Sequence, residues 1–164
     1  MDNYKIIRCG GNEEEFKVSV QLAAEQELLS VHGSLDDIPE EGPIGWETNR
    51  TFVSTFLWGA ETFLAVKDGK YIGIVSGVAA PEENDPYGYL SFLYVRKEYR
   101  RQGIGTALLQ HIEPYFIEHK CRHIKINLSF SDIDAKPFLE KLGYEQRYIA
   151  MVKPARRVEQ LKQP

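Results

Sequence analysis

The stretch of sequence that decides the fold is Tyr94-Val95-Arg96-Lys97-Glu98-Tyr99-Arg100-Arg101-Gln102-Gly103-Ile104-Gly105-Thr106. Aromatic and branched residues from Tyr87 to Val95 lead into it, and this composition is typical of a buried strand. Apolar residues recur at helical spacing over residues 104–116, so one face of the following segment is apolar. We therefore predict a strand, a sharp turn at the two glycines, and a helix that begins at this turn.

The turn has the composition of an anion-binding site. Glycines carry no Cβ, which lets successive backbone N–H groups point at one anion, and the helix N-terminus adds a partial positive charge. Four cationic side chains lie in the same segment: Arg96, Lys97, Arg100 and Arg101. Several cations favour a ligand with more than one phosphate over a single carboxylate. The sequence thus predicts a pyrophosphate site.

Two common nucleotide motifs do not fit this segment. A Walker loop requires G-x-x-x-x-G-K-[ST], which the chain lacks. A dinucleotide fingerprint requires a third glycine where this chain has Leu108, and it follows a first strand, whereas the present motif comes late in the chain. Both classes are excluded.

The segment Arg100-x-x-Gly103-x-Gly105 resembles the pyrophosphate-binding signature of the GCN5-related N-acetyltransferase (GNAT) family. A second segment resembles that family's Asn-x-x-Ala-x-x-Leu-Tyr-Glu-Lys-x-Gly-Phe pattern, and here it is written Asp132-x-x-Ala135-x-x-Phe138-x-Glu140-Lys141-Leu142-Gly143-Tyr144. Together the two cover about residues 87–152. The resemblance implies an α/β fold with a mixed, mostly antiparallel central sheet and flanking helices.

The resemblance also implies the ligand, acetyl-coenzyme A, as co-substrate and no metal. In this family the strands that here end near Val95 and Phe130 splay apart, and acyl-coenzyme A lies in the gap. The pantetheine arm would pair with strand backbone as an added strand does, and the turn would hold the pyrophosphate. Asp132 stands where the family usually has Asn. The implied ligand-binding residues are Leu93, Tyr94, Val95, Arg100, Arg101, Gln102, Gly103, Ile104, Gly105, Thr106, Asp132 and Phe138.

The activity that the resemblance implies is transfer of an acetyl group to a primary amine of a small molecule or peptide, by direct attack in a ternary complex. Family members often protonate the departing thiolate with a Tyr that is replaced here by Leu139. The carboxylate of some histone-directed relatives falls on Tyr89, which is no base at neutral pH. Tyr89, Ser91 and Tyr94 are the candidates for ordering a water that takes the amine proton, and each also fits a structural role.

A second class of function stays open. A domain of this fold that binds acyl-coenzyme A without chemistry could act as a sensor or regulatory module. The absence of a Tyr at position 139 favours this alternative, whereas the intact turn fits both.

The acceptor is indicated only by charge. Two segments at the expected entrance are acidic, and their acidic residues are Asp36, Asp37, Glu40, Glu41 and Glu47, then Glu82, Glu83 and Asp85. Such a field would attract a cationic amine such as a polyamine, an aminoglycoside-like sugar or a lysine side chain. A merely solvated charged loop explains the composition equally well.

Composition sets the remaining limits. The 164 residues, 43% of them apolar, suit one domain over residues 1–153 and a short basic tail over 154–164. A net charge of −4 argues against nucleic acid as a general partner. Apolar runs are too short for a membrane span, and two cysteines fit a reducing, cytoplasmic compartment. A homodimer is compatible with this reading.

One alternating set, His119, Cys121 and His123, would share a side of an extended segment and could ligate a metal. We favour a helix end followed by a strand start at this position, so no metal is expected.

The other elements follow from periodicity and turn residues. We expect a strand at Lys5–Arg8, a helix from Glu13 to about Ser30 with Asn12 as its cap, and a second helix capped by Asn49. A hairpin should join strands 62–66 and 71–79 through Asp68-Gly69. Further predictions are a strand over 123–130, a short helix with Asp134 as cap and Pro137 in its first turn, and a last strand over 144–152.

Overall fold

The computed structural model describes residues 3–32, 57–80, 83–128 and 134–149, together with residues 151 and 153. The chain comprises two compact units, residues 1–133 and 134–164, and each is described by itself. Three expectations lie outside the described residues: the helix capped by Asn49, the acidic segment 36–47, and the acidic residue Glu82.

The first unit is built on a five-stranded sheet. Its elements are β1 (Lys5–Arg8), α1 (Glu13–His32), β2 (Glu61–Lys67), β3 (Lys70–Ala80), β4 (Tyr87–Val95), a 3-10 turn (Lys97–Tyr99), α2 (Ile104–Glu118) and β5 (His123–Ile126). The strands lie in the order β1-β2-β3-β4-β5; the first four are antiparallel neighbours, and β5 is parallel to β4. The predicted mixed, mostly antiparallel sheet with flanking helices is confirmed.

Residues adjacent in sequence form the β2–β3 turn and the N-terminal cap of α1. Asp68 and Gly69 both have positive φ, 50° and 72°, which is the backbone of a two-residue type I′ turn between β2 and β3. The side chain of Asn12 accepts the backbone N–H of Glu14 at 2.8 Å, so this residue caps α1 as expected. Both predictions are confirmed, with α1 two residues longer than expected.

The two long helices cover opposite faces of the sheet. α1 packs through Leu22 and Ala23 on Ile74 and Phe92, within one buried cluster. α2 packs on the other face, where its Phe116 lies against two glycines of the sheet. A Cβ on Gly88 would lie 2.5 Å from the Phe116 ring, and one on Gly77 would lie 2.8 Å from it. Both positions therefore need glycine so that α2 can approach the sheet.

β4 contains a β-bulge. The pairing with β3 shifts between Ser76 and Gly77, so that Ser76 faces Phe92 and Gly77 faces Leu90, which leaves Ser91 as the extra residue. A bulge of this kind increases twist and redirects the strand locally. In this sheet the bulge separates the half of β4 that pairs with β5 from the half that does not.

The second unit contains a short helix, α3 (Lys136–Lys141), with Pro137 in its first turn as predicted. The expectation that Asp134 caps this helix is wrong, because the helix begins after Ala135 and no side chain caps it. Gly143 follows the helix with φ 91°, where a left-handed residue ends a helix.

Two strand predictions need correction. Residues 144–149 form no strand, and Tyr148 and Ile149 are largely exposed, because no strand of the described part of the chain pairs with them. β5 ends at Ile126 and not at Phe130; residues 127 and 128 are not strand, and the rest of the predicted segment lies outside the described residues. The alternating pattern alone does not make a strand where a partner is lacking.

Among the described residues, no helix is long and apolar enough to cross a membrane.

Candidate functional site

β4 and β5 run side by side for only four residues and then part. Their pairing extends from Tyr87 with His123 to Leu90 with Ile126. Beyond Leu90, no strand of the described segments pairs with β4 on this side. Among the described residues, the second half of β4 therefore has one edge without a strand partner, which we call the open edge.

The backbone of Leu93 and Val95 faces this open edge. The N–H of Arg96 donates to the carbonyl of Ile72 on β3 at 2.9 Å. Because hydrogen bonding alternates along an antiparallel strand, Tyr94 also bonds to β3 through its backbone, opposite Ile74, while Leu93 and Val95 point the other way. Of the three residues expected to pair with a ligand through their backbone, two present groups on the open side.

Two side chains occupy these groups. The Oε1 atom of Gln26 on α1 accepts the Leu93 N–H at 3.2 Å. The Nε of Arg100 donates to the Val95 carbonyl at 2.7 Å. The Gln26 carbonyl and the Arg100 N–H thus bind this edge of β4 at the positions where the backbone carbonyl and N–H of a neighbouring strand would bind it.

A partly buried ion pair fixes the end of β4. The carboxylate of Glu25 on α1 accepts from Nε and Nη2 of Arg96, at 3.1 and 2.7 Å, and from the hydroxyl of Tyr94 at 3.1 Å. The third nitrogen of Arg96 donates to the carbonyl of Tyr71 at 3.1 Å. Arg96 is thus committed to an internal network, which corrects the expectation that it lies with the other cations of the turn.

The same network sets the protonation of Tyr94. Burial, the nearby Glu25 charge and its hydrogen bond raise the pKa of the Tyr94 phenol far above its ordinary value, while the bond to Glu25 raises the pKa of the Arg96 guanidinium. Tyr94 is only 6% exposed and is a neutral donor at physiological pH. Its hydroxyl supports the strand and does not supply a proton acceptor to solvent.

The glycine turn, residues 100–106, has the backbone that an anion site needs. Gly103 has φ 78° and is the N-cap of α2, and no side chain caps this helix. Arg101 also has positive φ, 65°, which is uncommon for a residue other than glycine. At this end of the helix, the N–H of Ala107 donates to the carbonyl of Gly103 at 3.0 Å. The N–H groups of the first helical turn consequently have no carbonyl partner within α2 and point out of its start.

Positive charge surrounds this turn. Lys97 and Arg101 are exposed, and Arg100 lies with its guanidinium 5.8 Å from the centre of the Tyr94 ring. Lys67, at the end of β2, donates to Oε1 of Gln102 at 2.9 Å. These four cations, one of them distant in sequence, complement the helix N-terminus and favour a multiply charged anion.

A shallow depression of about 400 Å³ adjoins the turn on the side of β1. The hydroxyl of Tyr4 lies in its wall and donates to the carbonyl of Gly103 at 3.4 Å, which links the depression to the turn. It is open to solvent, and its lining residues are Asn3, Tyr4, Lys5, Val66, Asp68 and Gly69.

Polar side chains from β4 and from the residue that follows β5 meet near the end of the paired region of these two strands. Nδ2 of Asn127 donates to the hydroxyl of Tyr89 at 3.3 Å. On the same two strands, the ammonium of Lys125 lies 3.8 Å from the centre of the Tyr87 ring, and the His123 ring stacks on that tyrosine. The half-exposed Tyr89 therefore has a partner that can orient its hydroxyl beside the open edge. Ser91, the bulge residue, is half-buried nearby in the strand.

The other residues singled out from the sequence are placed as follows. Asp132 is outside the described residues. Phe138 is half-buried and Leu139 is buried, both in the second unit. His119 bonds through Nδ1 to the carbonyl of Tyr115. Within the part of the chain that the structure describes, no group of three His, Cys, Asp or Glu side chains could hold a metal.

Sequence reasoning missed four residues of the site: Glu25, Gln26, Lys67 and Asn127. Only Glu25 carried a signal, because it is a single acid beside the apolar Leu22-Ala23-Ala24 on the buried side of α1, and buried acids are usually paired. Gln26 contacts a residue 67 positions away, and Asn127 contacts one 38 positions away. Local sequence patterns cannot predict contacts between such distant positions.

Comparison with known proteins identifies the class that this fold and site define. The model of the acetyltransferase (GNAT) family matches residues 32–144, so the chain belongs to this family. N-alpha-acetyltransferase 30 of Dictyostelium discoideum is 30% identical over 119 residues, which are 73% of this chain and 61% of that protein. The chain therefore spans only about 61% of the length of this relative.

Solved structures show the same fold. An acetyltransferase from Pyrococcus furiosus, described as putative, superposes with a TM-score of 0.71 at 24% identity, over 93% of this chain and 99% of that one. AAC(6')-Iy in complex with the bisubstrate analog CoA-S-monomethyl-acetylneamine superposes with a TM-score of 0.65 at 16% identity, over 94% of this chain and 99% of that one.

Proposed function

We propose that this chain transfers an acetyl group from acetyl-coenzyme A to a primary amine. The observation that carries the proposal is the placement of the open edge of β4 directly before the glycine turn. One strand thus presents backbone partners for an amide-containing arm at Leu93 and Val95, and its end leads to a cationic helix start for the phosphates.

The residues present fit this ligand. The turn holds two left-handed residues and the uncapped start of α2, so its N–H groups are available to a pyrophosphate. Arg101 and Lys97 are exposed beside it and would neutralise phosphate charge. The edge of β4 offers the alternating donor and acceptor that a pantetheine arm requires. Bound acetyl-coenzyme A would supply an acyl group activated as a thioester.

The chain's own groups would then act on the acceptor amine by orientation. A backbone N–H on the open edge, at Leu93, would donate to a carbonyl of the bound arm and so fix its position. Tyr89, oriented by Asn127, would hold the amine or a water that accepts its proton. Holding the two reactants together removes most of the entropic barrier of a bimolecular step.

The acceptor that we propose first is the α-amine of a peptide. The relative that is 30% identical is named as an N-alpha-acetyltransferase, and this supports a peptide N-terminus over other amines. Glu83 and Asp85 are exposed just before β4, and their charge would attract a protonated amine to the N-terminal end of β4.

A second candidate is a module that binds acyl-coenzyme A and transfers nothing. The observation that favours it is Leu139, a buried apolar residue at the position of the family's usual acid. Water can protonate a thiolate, so we rank this candidate below the enzyme.

The test is an acetyl-transfer assay with purified protein, acetyl-coenzyme A and a peptide library with varied first residues. We expect thiol release together with an acetylated peptide N-terminus by mass spectrometry. The same peptides with blocked N-termini are the control. If acetylation appears only on lysine side chains or on aminoglycosides, the peptide acceptor is wrong; if no amine is acetylated although the ligand binds, the second candidate replaces the first.

A further inference from the structure

We propose that Gln26 is a built-in competitor for the arm of acyl-coenzyme A, and that its side chain must leave the Leu93 N–H before a carbonyl of that arm can take its place. This inference rests on the proposed function. It assigns to one side chain of α1 the control of access to the open edge of β4.

The first argument is the identity of the two groups. The Gln26 side chain ends in a primary amide, and its oxygen accepts the Leu93 N–H at 3.2 Å. The arm of acyl-coenzyme A carries carbonyl oxygens of the same kind, in its amides and its thioester. A single N–H cannot make a full bond with both, so the side-chain amide and the ligand carbonyl exclude each other at this donor.

The second argument is the setting of the bond. The N–H of Leu93 points to the side of β4 from which β5 has departed, and no described strand pairs with it there. Backbone donors in such half-buried places are seldom left unpaired, because an unmet donor costs free energy. Gln26 meets this need in the free protein. Since the side chain is half-buried and belongs to a helix, it can rotate away without unfolding any strand.

The third argument is the contrast with the neighbouring residue. Glu25 is buried and bonded to Arg96 and Tyr94 by three contacts of 2.7 to 3.1 Å, so it holds α1 on β4. Gln26 lies next to this fixed point, and it reaches the Leu93 N–H through its side chain. The backbone of α1 therefore stays in place while the Gln26 side chain exchanges its partner.

The energetic consequence is a lower affinity for the arm. When a site must first release an internal partner, its apparent affinity is the intrinsic affinity multiplied by the fraction of molecules in which that partner is released. One net hydrogen bond in a protein corresponds to about a two- to tenfold change in an equilibrium constant. The effect applies only to ligands that use the Leu93 N–H.

The experiment measures two ligands on three variants by calorimetry. Acetyl-coenzyme A has the arm, while adenosine 3′,5′-bisphosphate has phosphates and no arm. We expect Gln26→Ala to bind acetyl-coenzyme A about two- to tenfold more tightly and adenosine 3′,5′-bisphosphate with unchanged affinity. Gln26→Glu should bind acetyl-coenzyme A more weakly, because a carboxylate is a stronger acceptor for the Leu93 N–H. Lys17→Ala, at an exposed position of the same helix where Lys17 pairs with Glu13 at the surface, is the control and should change neither affinity.

Amide hydrogen exchange supplies a readout that needs no ligand. The Leu93 amide should exchange faster in Gln26→Ala than in the parent, while the Phe92 and Tyr94 amides on the β3 side keep their rates. Binding of acetyl-coenzyme A should restore the protection of Leu93 in the variant. If Gln26→Ala binds acetyl-coenzyme A with equal or lower affinity than the parent, or leaves the exchange of Leu93 unchanged, the inference is wrong while the proposed function stands. If the parent binds no acetyl-coenzyme A at all, the proposed function fails, and the inference fails with it.

Discussion

Tyr89 is the side chain on which the proposed chemistry depends most. Its hydroxyl has one oriented partner, Asn127, and lies where β4 and β5 begin to separate. Tyr94, by contrast, is buried and bonded to Glu25, so we propose Tyr89 and not Tyr94 for a role at the reacting centre. The two tyrosines were equivalent candidates in the sequence, and their different surroundings separate them.

Replacing Tyr89 by Phe removes the hydroxyl and keeps the ring. We expect kcat for the acceptor to fall about 10- to 100-fold, because the hydroxyl that holds the amine, or the water that accepts its proton, is lost, with unchanged affinity for acetyl-coenzyme A. Steady-state kinetics and calorimetry measure the two quantities. Tyr148→Phe is the control, since Tyr148 is 81% exposed and should retain full activity. An unchanged kcat in Tyr89→Phe would exclude Tyr89 from the mechanism.

Among the strands and helices, the junction of α1 with the end of β4 governs the site. Glu25 connects the helix to Arg96, the residue that follows β4 and precedes the turn. The Glu25–Arg96 ion pair therefore supports both the open edge at Leu93 and the glycine turn. A substitution of Glu25 should for this reason affect ligand binding as well as stability.

Glu25→Gln tests this support. The variant leaves Arg96 without its carboxylate, and breaking a partly buried ion pair should cost about 2–3 kcal/mol of unfolding free energy. Urea unfolding measures it. Glu13→Gln is the control, because Glu13 pairs with Lys17 at the exposed surface of the same helix and loss of that pair should leave the unfolding free energy nearly unchanged. Equal costs for the two variants would contradict the structural role of Glu25.

Tyr94→Phe should change the pH dependence of stability at high pH. The pKa of Tyr94 is raised in the folded protein, so its contribution is complete below the unfolded pKa of about 10 and is lost as the pH rises above that value. The variant should be less stable at neutral pH and should lose less stability above about pH 10 than the parent. Urea unfolding at several pH values measures the slope. Tyr148→Phe should keep the slope of the parent, and a parental slope in Tyr94→Phe would refute the assignment.

Elements with local causes were predictable, and those that depend on distant partners were not. Asp68-Gly69 fixes its hairpin and Asn12 caps its helix through residues next to them in sequence. The expected strand over 144–152 failed over residues 144–149 because a strand also needs a partner, which its own pattern cannot supply. β5 was too long in the prediction for the same reason.

For the chain taken together, family membership and the fold class followed from two short segments, the glycine turn and residues 132–144, whereas the details of the site did not. Gly103 and Gly105 indicated a phosphate site because backbone geometry at a helix start is local. The bonds of Gln26 to Leu93 and of Glu25 to Arg96 join positions 67 and 71 apart. Such contacts are products of the whole fold, and they decide which groups a ligand meets.

The most direct test of the account is calorimetric titration of the purified protein with acetyl-coenzyme A, beside Gly103→Glu and Gly11→Glu. Both glycines have left-handed φ, 78° and 83°, so both variants carry a similar backbone strain, but only Gly103 belongs to the turn. We predict binding by the parent and by Gly11→Glu, and its loss in Gly103→Glu. No binding by the parent, or equal binding by all three proteins, would contradict the proposal that the glycine turn holds acetyl-coenzyme A.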